Sequence, residues 1–145
     1  MGFDIGAVLA NLFLNFTAQE SLTDDPVEKS EYQAYLLRTA AEIWSVFERN
    51  FRQLWWNDGF ETFTSVHGYL DDYLERILQD TAGYAGCKMI RRVIGLAHVA
   101  DLESIEDPEL RVKGETMALA IGRELNPPRL ARRSPYRMGT DAGRH

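Results

Sequence analysis

The stretch Gly83–Asp107, GYAGCKMIRRVIGLAHVADLESIED, decides how the chain is read. Gly83 and Gly86 open it and Asp107-Pro108 closes it, so it reads as a short helix between two stop signals. Cys87, Met89, Ile90, Val93, Ile94, Leu96 and Ala97 cover most of its circumference, the pattern of a helix buried on most sides. Lys88, Arg91, Arg92 and His98 nevertheless sit in it, with Gly95 between them. Spacings of three and four put these residues on one stripe. Arginine is almost never buried without a partner. The stripe therefore calls for acidic partners inside the protein or for an anionic ligand.

Upstream, Ile5, Val8, Leu9, Leu12, Phe13 and Phe16 follow Asp4 at helical spacing, and Ala7, Ala10 and Leu14 make the other face apolar too. Asp4 reads as the cap of a helix over residues 4–18 that belongs in the middle of a fold. A chain that begins with its most buried helix reads as a piece of a longer protein. Gln19–Asp25 reads as a polar loop. Asp25-Pro26 is a strong helix start, with Asp25 capping and Pro26 in the first turn. That second helix extends to about Asn57, with Tyr32, Tyr35, Leu36, Ile43, Trp44, Phe47, Phe51, Leu54 and Trp55 on its apolar face. A third helix is expected from Glu61 to Thr81, carried by Leu70, Tyr73, Leu74, Ile77 and Leu78. Asp107-Pro108 starts a last helix that runs to about Leu125 and is stopped by Asn126-Pro127-Pro128. No stretch alternates with period two for long enough to make a strand. The expected class is all-α, with about five helices and no internal repeat.

The 145 residues suffice for one domain with one sizeable core. A net charge of −6 gives no reason to expect a nucleic-acid partner. Residues 127–145 carry five arginines against Asp141, a net +4, which leaves −10 on residues 1–126. With no hydrophobic period, this basic tail is expected to be disordered. The single cysteine, Cys87, cannot form an internal disulfide and reads as a small buried hydrophobe in a reducing, cytoplasmic setting. Met1–Phe16 lacks a basic start and carries Asp4, Asn11 and Asn15, so neither a signal peptide nor a membrane span is expected. No His/Cys/Asp/Glu spacing suggests a metal site.

Met1-Gly2-Phe3-Asp4-Ile5-Gly6-Ala7, then Gly86-Cys87-Lys88-Met89-Ile90-Arg91-Arg92, Gly95-Leu96-Ala97-His98 and Glu103-Ser104-Ile105-Glu106-Asp107 carry a resemblance. Over about residues 1–125 the chain resembles the S-methyl-5-thioribose kinases, of the kinase-like fold shared by choline kinases and aminoglycoside phosphotransferases. The resemblance implies a helical C-lobe portion over residues 1–126, without the N-lobe, the catalytic loop or the metal motif. It implies ATP and Mg²⁺ for the full-length enzyme, with their ligands outside this chain, and methylthioribose as the small-molecule substrate. The implied reaction is phosphorylation at the 1-hydroxyl in methionine salvage, with the fragment alone inactive. No membrane partner is expected, and self-association into a homodimer stays open.

Arg91 and Arg92 match the paired arginines at the sugar site in that family, and the resemblance assigns them substrate binding. The competing reading makes both internal salt-bridge partners. Asp4 matches an aspartate that supports the catalytic loop from the start of a central helix. No catalytic residue and no metal ligand is assigned within the chain. Lys88 reads as a solvated or salt-bridged end, His98 as a hydrogen-bonded core histidine, and Trp44, Trp55 and Trp56 as core aromatics. His67-Gly68-Tyr69 imitates a catalytic loop but has Tyr69 where a base should stand. Asp101-Leu102-Glu103 and Asp107-Pro108-Glu109 imitate a metal motif, and a capping role for Asp107 explains the second. A helical module that binds an anion or dimerises without catalysis is the alternative function.

Overall fold

The computed structural model describes residues 1–59, 66–95 and 100–126. Every regular element among them is helical: α1 (Gly2–Leu22), α2 (Pro26–Asp58), α3 (Tyr69–Ile94), α4 (Ala100–Glu103) and α5 (Pro108–Glu124). α1 is the hub, packed against each of the other four. Its Leu9, Ala10, Leu14 and Ala18 meet Ala85 and Met89 of α3, Leu102 and Ile105 around α4, and Ala118 of α5. The central place expected for the first helix is the one it occupies.

Its ends differ from expectation. Met1 is the N-cap, so Asp4 is not the cap and stands in the first turn, where a carboxylate suits the positive end of the helix. The Asp4 side chain is exposed and pairs with the Met1 amino group at 3.5 Å. Gln19–Leu22, expected as loop, is one more helical turn. Side-chain bonds tie that turn to its neighbours: Ser21 donates to the Leu110 carbonyl at 2.7 Å and Lys113 to Glu20 at 3.0 Å.

α2 starts as its sequence dictates. Asp25 Oδ1 accepts from the amides of Val27 and Glu28 at 2.8 and 3.3 Å, and Pro26 takes the first turn. Gly59 ends the helix, its amide donating to the Trp55 carbonyl at 3.0 Å. Of its apolar face only Leu36 and Ala40 are buried. The distal rings form a half-exposed ladder: Phe51 lies 5.7 Å from Tyr73 and Trp55 lies 5.8 Å from Tyr69, centroid to centroid. The three tryptophans are thus not core residues, and Trp56 is exposed. Arg52 fastens the same arm, donating to Glu48 at 2.8 Å and Asp71 at 2.7 Å.

The largest departure concerns α3. The third helix and the arginine helix are one continuous element, Tyr69–Ile94, entered through Gly68 at φ +79°. Gly83 and Gly86 do not break it. A Cβ on Gly86 would stand 2.6 Å from the Gly122 carbonyl oxygen, and one on Gly122 would stand 2.9 Å from Ile90 Cγ1. These glycines mark where α3 and α5 cross backbone to backbone, which outweighs the ~1 kcal/mol a helical glycine costs relative to alanine. Gly95 ends α3 rather than interrupting it, its amide donating to the Arg91 carbonyl at 2.9 Å. Leu96, Ala97 and His98 lie outside the described residues, as do the expected third-helix start at Glu61 and the 127–145 tail. Asp107 caps α5 through the Glu109 and Leu110 amides at 2.8 and 3.4 Å. No described helix is long and apolar enough to cross a membrane.

Candidate anion-binding groove

The first turns of α1 and the last turns of α3 enclose a groove of about 340 Å³. α1 contributes Phe3 and Ala7, and α3 contributes Tyr84, Cys87, Lys88, Arg91 and Arg92. Successive steps of three and four along α3 turn these five side chains to one face. Phe3 and Tyr84 meet edge to face with centroids 5.5 Å apart. The groove therefore has an apolar end and a cationic end.

Lys88 is not a solvated end, and among the described residues no carboxylate pairs with it. It is half-buried, and its Nζ donates to the Ala7 carbonyl at 2.9 Å. Burial, and then the neighbouring Arg92 and Arg91 guanidinium groups, hold its ammonium below the usual lysine range. Arg91 is exposed and Arg92 half-buried. Both occupy the last turn of α3, where cations suit the negative end of the helix. The ion pairs among the described residues join Arg52 to Glu48 and Asp71, Lys113 to Glu20 and the Met1 amine to Asp4, and none includes Arg91. Among the described residues no carboxylate lines the groove.

Cys87 is exposed, which overturns its reading as a small buried hydrophobe. The inward face of α3 at this level is Ala85, Gly86 and Met89, so residue 87 falls on the groove side. Its sulfur lies 3.7 Å from the Asn126 side-chain amide nitrogen. The sequence reading placed Arg91 and Arg92 correctly on one stripe with Lys88. It missed Phe3, Ala7, Tyr84 and Cys87 as neighbours. The run Tyr84, Cys87, Lys88, Arg91 at helical spacing held that information. Asp4 is not among the lining residues.

A wider groove of about 560 Å³ lies at the other end of α1, where Gln19 and Thr23 face Glu28, Glu31, Tyr32 and Tyr35 of α2. It is larger but, among the described residues, offers carboxylates and no cation, so volume and anion chemistry point to different places. The charge decides, because a groove lined by two glutamates repels phosphate and sugar phosphates alike. Among the sequence look-alikes, Gly68 of His67-Gly68-Tyr69 is the N-cap of α3, Asp107 is a helix cap, and Leu102 is buried in the core. Among the described residues no group of three or more His, Cys, Asp or Glu could hold a metal ion.

No protein-family model matches the chain. It is similar to the methylthioribose kinase of Bacillus mycoides (strain KBAB4), 42% identical over 124 residues, which is 86% of this chain and 29% of that protein. It is 41% identical over 124 residues to the methylthioribose kinase of Bacillus cereus (strain B4264), with the same coverage. The chain thus spans about 29% of the length of the curated relatives it matches.

Proposed function

We propose that the chain is the helical, sugar-side portion of a cytoplasmic methylthioribose kinase with the kinase-like fold of choline kinases. The full-length enzyme transfers the γ-phosphoryl of ATP to the 1-hydroxyl of methylthioribose in methionine salvage. One observation carries the reading: a groove lined by Lys88, Arg91 and Arg92, with no carboxylate among its described lining residues, inside a segment 42% identical to such a kinase. Phosphoryl transfer needs positioning and neutralisation of charge more than covalent help from the protein. Arginine supplies both, with a planar fork of donors and a permanent charge. Arg91 and Arg92 bind the sugar and face the phosphoryl group as it moves. Asp4 supports the catalytic loop from the first turn of α1.

ATP and Mg²⁺ supply the phosphoryl group and its charge neutralisation, and no carboxylate set among the described residues fits the metal. Their ligands and the catalytic base are assigned to the length of the relatives that this chain does not span. The chain by itself is therefore expected not to turn over ATP. The test is a chimera in which this chain replaces the matching segment of the Bacillus mycoides enzyme. Methylthioribose-dependent ATP turnover comparable to the parent is the expected result. A chimera that melts cooperatively yet shows no sugar-dependent turnover would leave a non-catalytic helical module as the better account.

A further inference from the structure

Phe3 and Tyr84 are 62% and 50% exposed, yet they stand edge to face with centroids 5.5 Å apart at one end of the narrow groove, beside Ala7. The backbone beneath these rings is held close. A Cβ on Gly2 would stand 3.0 Å from Asp80 Cβ, and one on Gly6 would stand 2.6 Å from the Thr81 carbonyl oxygen. Glycines on both sides of Phe3 thus let α1 lie directly on α3. The Lys88 bond to the Ala7 carbonyl joins the two helices again one turn further on. Two large rings left open on a rigid frame make a preorganised apolar surface, the kind that lines small-molecule sites.

Arg91 lies seven residues after Tyr84, two turns or about 10 Å along α3. The groove therefore has an aromatic end and a guanidinium end that a pentose with one substituent on its far carbon can bridge. Methylthioribose is unequal in the same sense. Its 1-hydroxyl takes the phosphoryl group, and its apolar methylthio group stands on carbon 5, across the ring. We infer that Phe3 and Tyr84 receive the methylthio group and set the preference for a thioether over a hydroxyl at that carbon. The inference rests on reading the groove as the sugar side of a kinase, and adds the residues that select the substrate. A thioether sulfur sits favourably about 5 Å from an aromatic ring, and its methyl group leaves water on the same surface. A hydroxyl brought against ring carbons gives up water for no hydrogen bond.

The experiment is the steady-state kinetics of the chimera with methylthioribose and with ribose, the latter as substrate or competitive inhibitor, with a melting curve for every variant. Phe3→Ala and Tyr84→Ala should each raise KM for methylthioribose about fivefold to tenfold, through binding rather than kcat, with a much smaller change for ribose. Both side chains are exposed, so melting should stay near normal. Tyr84→Phe keeps the ring and should keep the preference. Equal losses for the two sugars, or none for either, overturn the inference while the kinase reading stands. Lowered melting with an unchanged preference overturns it too, and makes the ring pair a seat for the part of the relatives that this chain does not span. A folded chimera without sugar-dependent turnover overturns both. Where the chimera does not fold, calorimetric titration of the 145-residue chain with the two sugars decides, and a chain that does not prefer methylthioribose overturns the inference.

Discussion

The two grooves at the ends of α1 rank one way by volume, about 560 against about 340 Å³, and the other way by chemistry. At the wide end Glu28 stands in the first turn of α2, where the helix end favours it, and Glu20 beside the groove accepts from Lys113 and Gln33. At the narrow end Lys88, Arg91 and Arg92 share one face, with no carboxylate among the described lining residues, beside the positive end of α1. The chemistry of the lining, not cavity size, separates a candidate site from a surface hollow.

The sharpest way to break this contrast is to remove the arginines in the chimeric kinase. Arg91→Ala or Arg92→Ala should lower kcat/KM about tenfold to a hundredfold, the worth of roughly 1.5–3 kcal/mol in one charge-assisted bond. Arg→Lys at either position should be impaired too, because lysine keeps the charge and loses the fork. Unchanged steady-state rates with lowered melting in all four variants would make the narrow groove as structural as the wide one. A smaller effect is expected on its wall. A Cβ on Gly6 would meet the Thr81 carbonyl oxygen at 2.6 Å and Tyr84 Cβ at 3.0 Å. Gly6→Ala should therefore cost about 1–3 kcal/mol of stability by denaturant unfolding as α1 shifts from α3. Normal stability in that variant would show that the two helices have room to spare.

Titration distinguishes the two ends by sign. Hydrogen bonds from Lys113 and then Gln33 hold Glu20 below its ordinary 4.5. Its contribution to stability is complete above 4.5 and is lost as pH falls through the lowered folded value. Lys88 is held below its ordinary 10.5, so the unfolded chain binds the proton more tightly. Stability gains from Lys88 as pH rises from the lowered folded value to 10.5. Melting temperature against pH should lose part of its acid limb in Lys113→Met and part of its alkaline limb in Lys88→Met. An acid limb identical with and without Lys113 would sever the link to Glu20. The least effect belongs to Glu28→Gln with Glu31→Gln, expected to change stability within about 0.5 kcal/mol.

The caps at Asp25 and Asp107, the hub and the stripe were legible because each rests on local chemistry, whereas the cap read at Asp4 was not. Asp25-Pro26 and Asp107-Pro108 begin helices in the structure as they do on paper, and the apolar run after Ile5 is the core of α1. Residues 83 and 86 were not legible. A glycine that breaks a helix and one that lets two helices touch look alike in one sequence. The complementary clue lay in Gly114, Ala118 and Gly122, a buried row of small residues at steps of four on α5. The same error displaced Cys87, since the side facing α5 could not be known before the crossing was. The aromatic face of α2 was found but overestimated, because ring-to-ring contact along two helices satisfies such residues without burying them.

That arm has an optical consequence. All three tryptophans, Trp44, Trp55 and Trp56, belong to α2, and none lines the cationic groove. Trp55 lies within 6.1 Å of both Tyr69 and Tyr73 of α3. Indole emission and tyrosine-to-tryptophan energy transfer therefore watch the contact between α2 and the start of α3. A ligand settling in the cationic groove is dark to them unless the arm itself moves. Intrinsic fluorescence is in this chain a gauge of the contact between two helices, and a light signal that changed with ligand would report a change transmitted along α3.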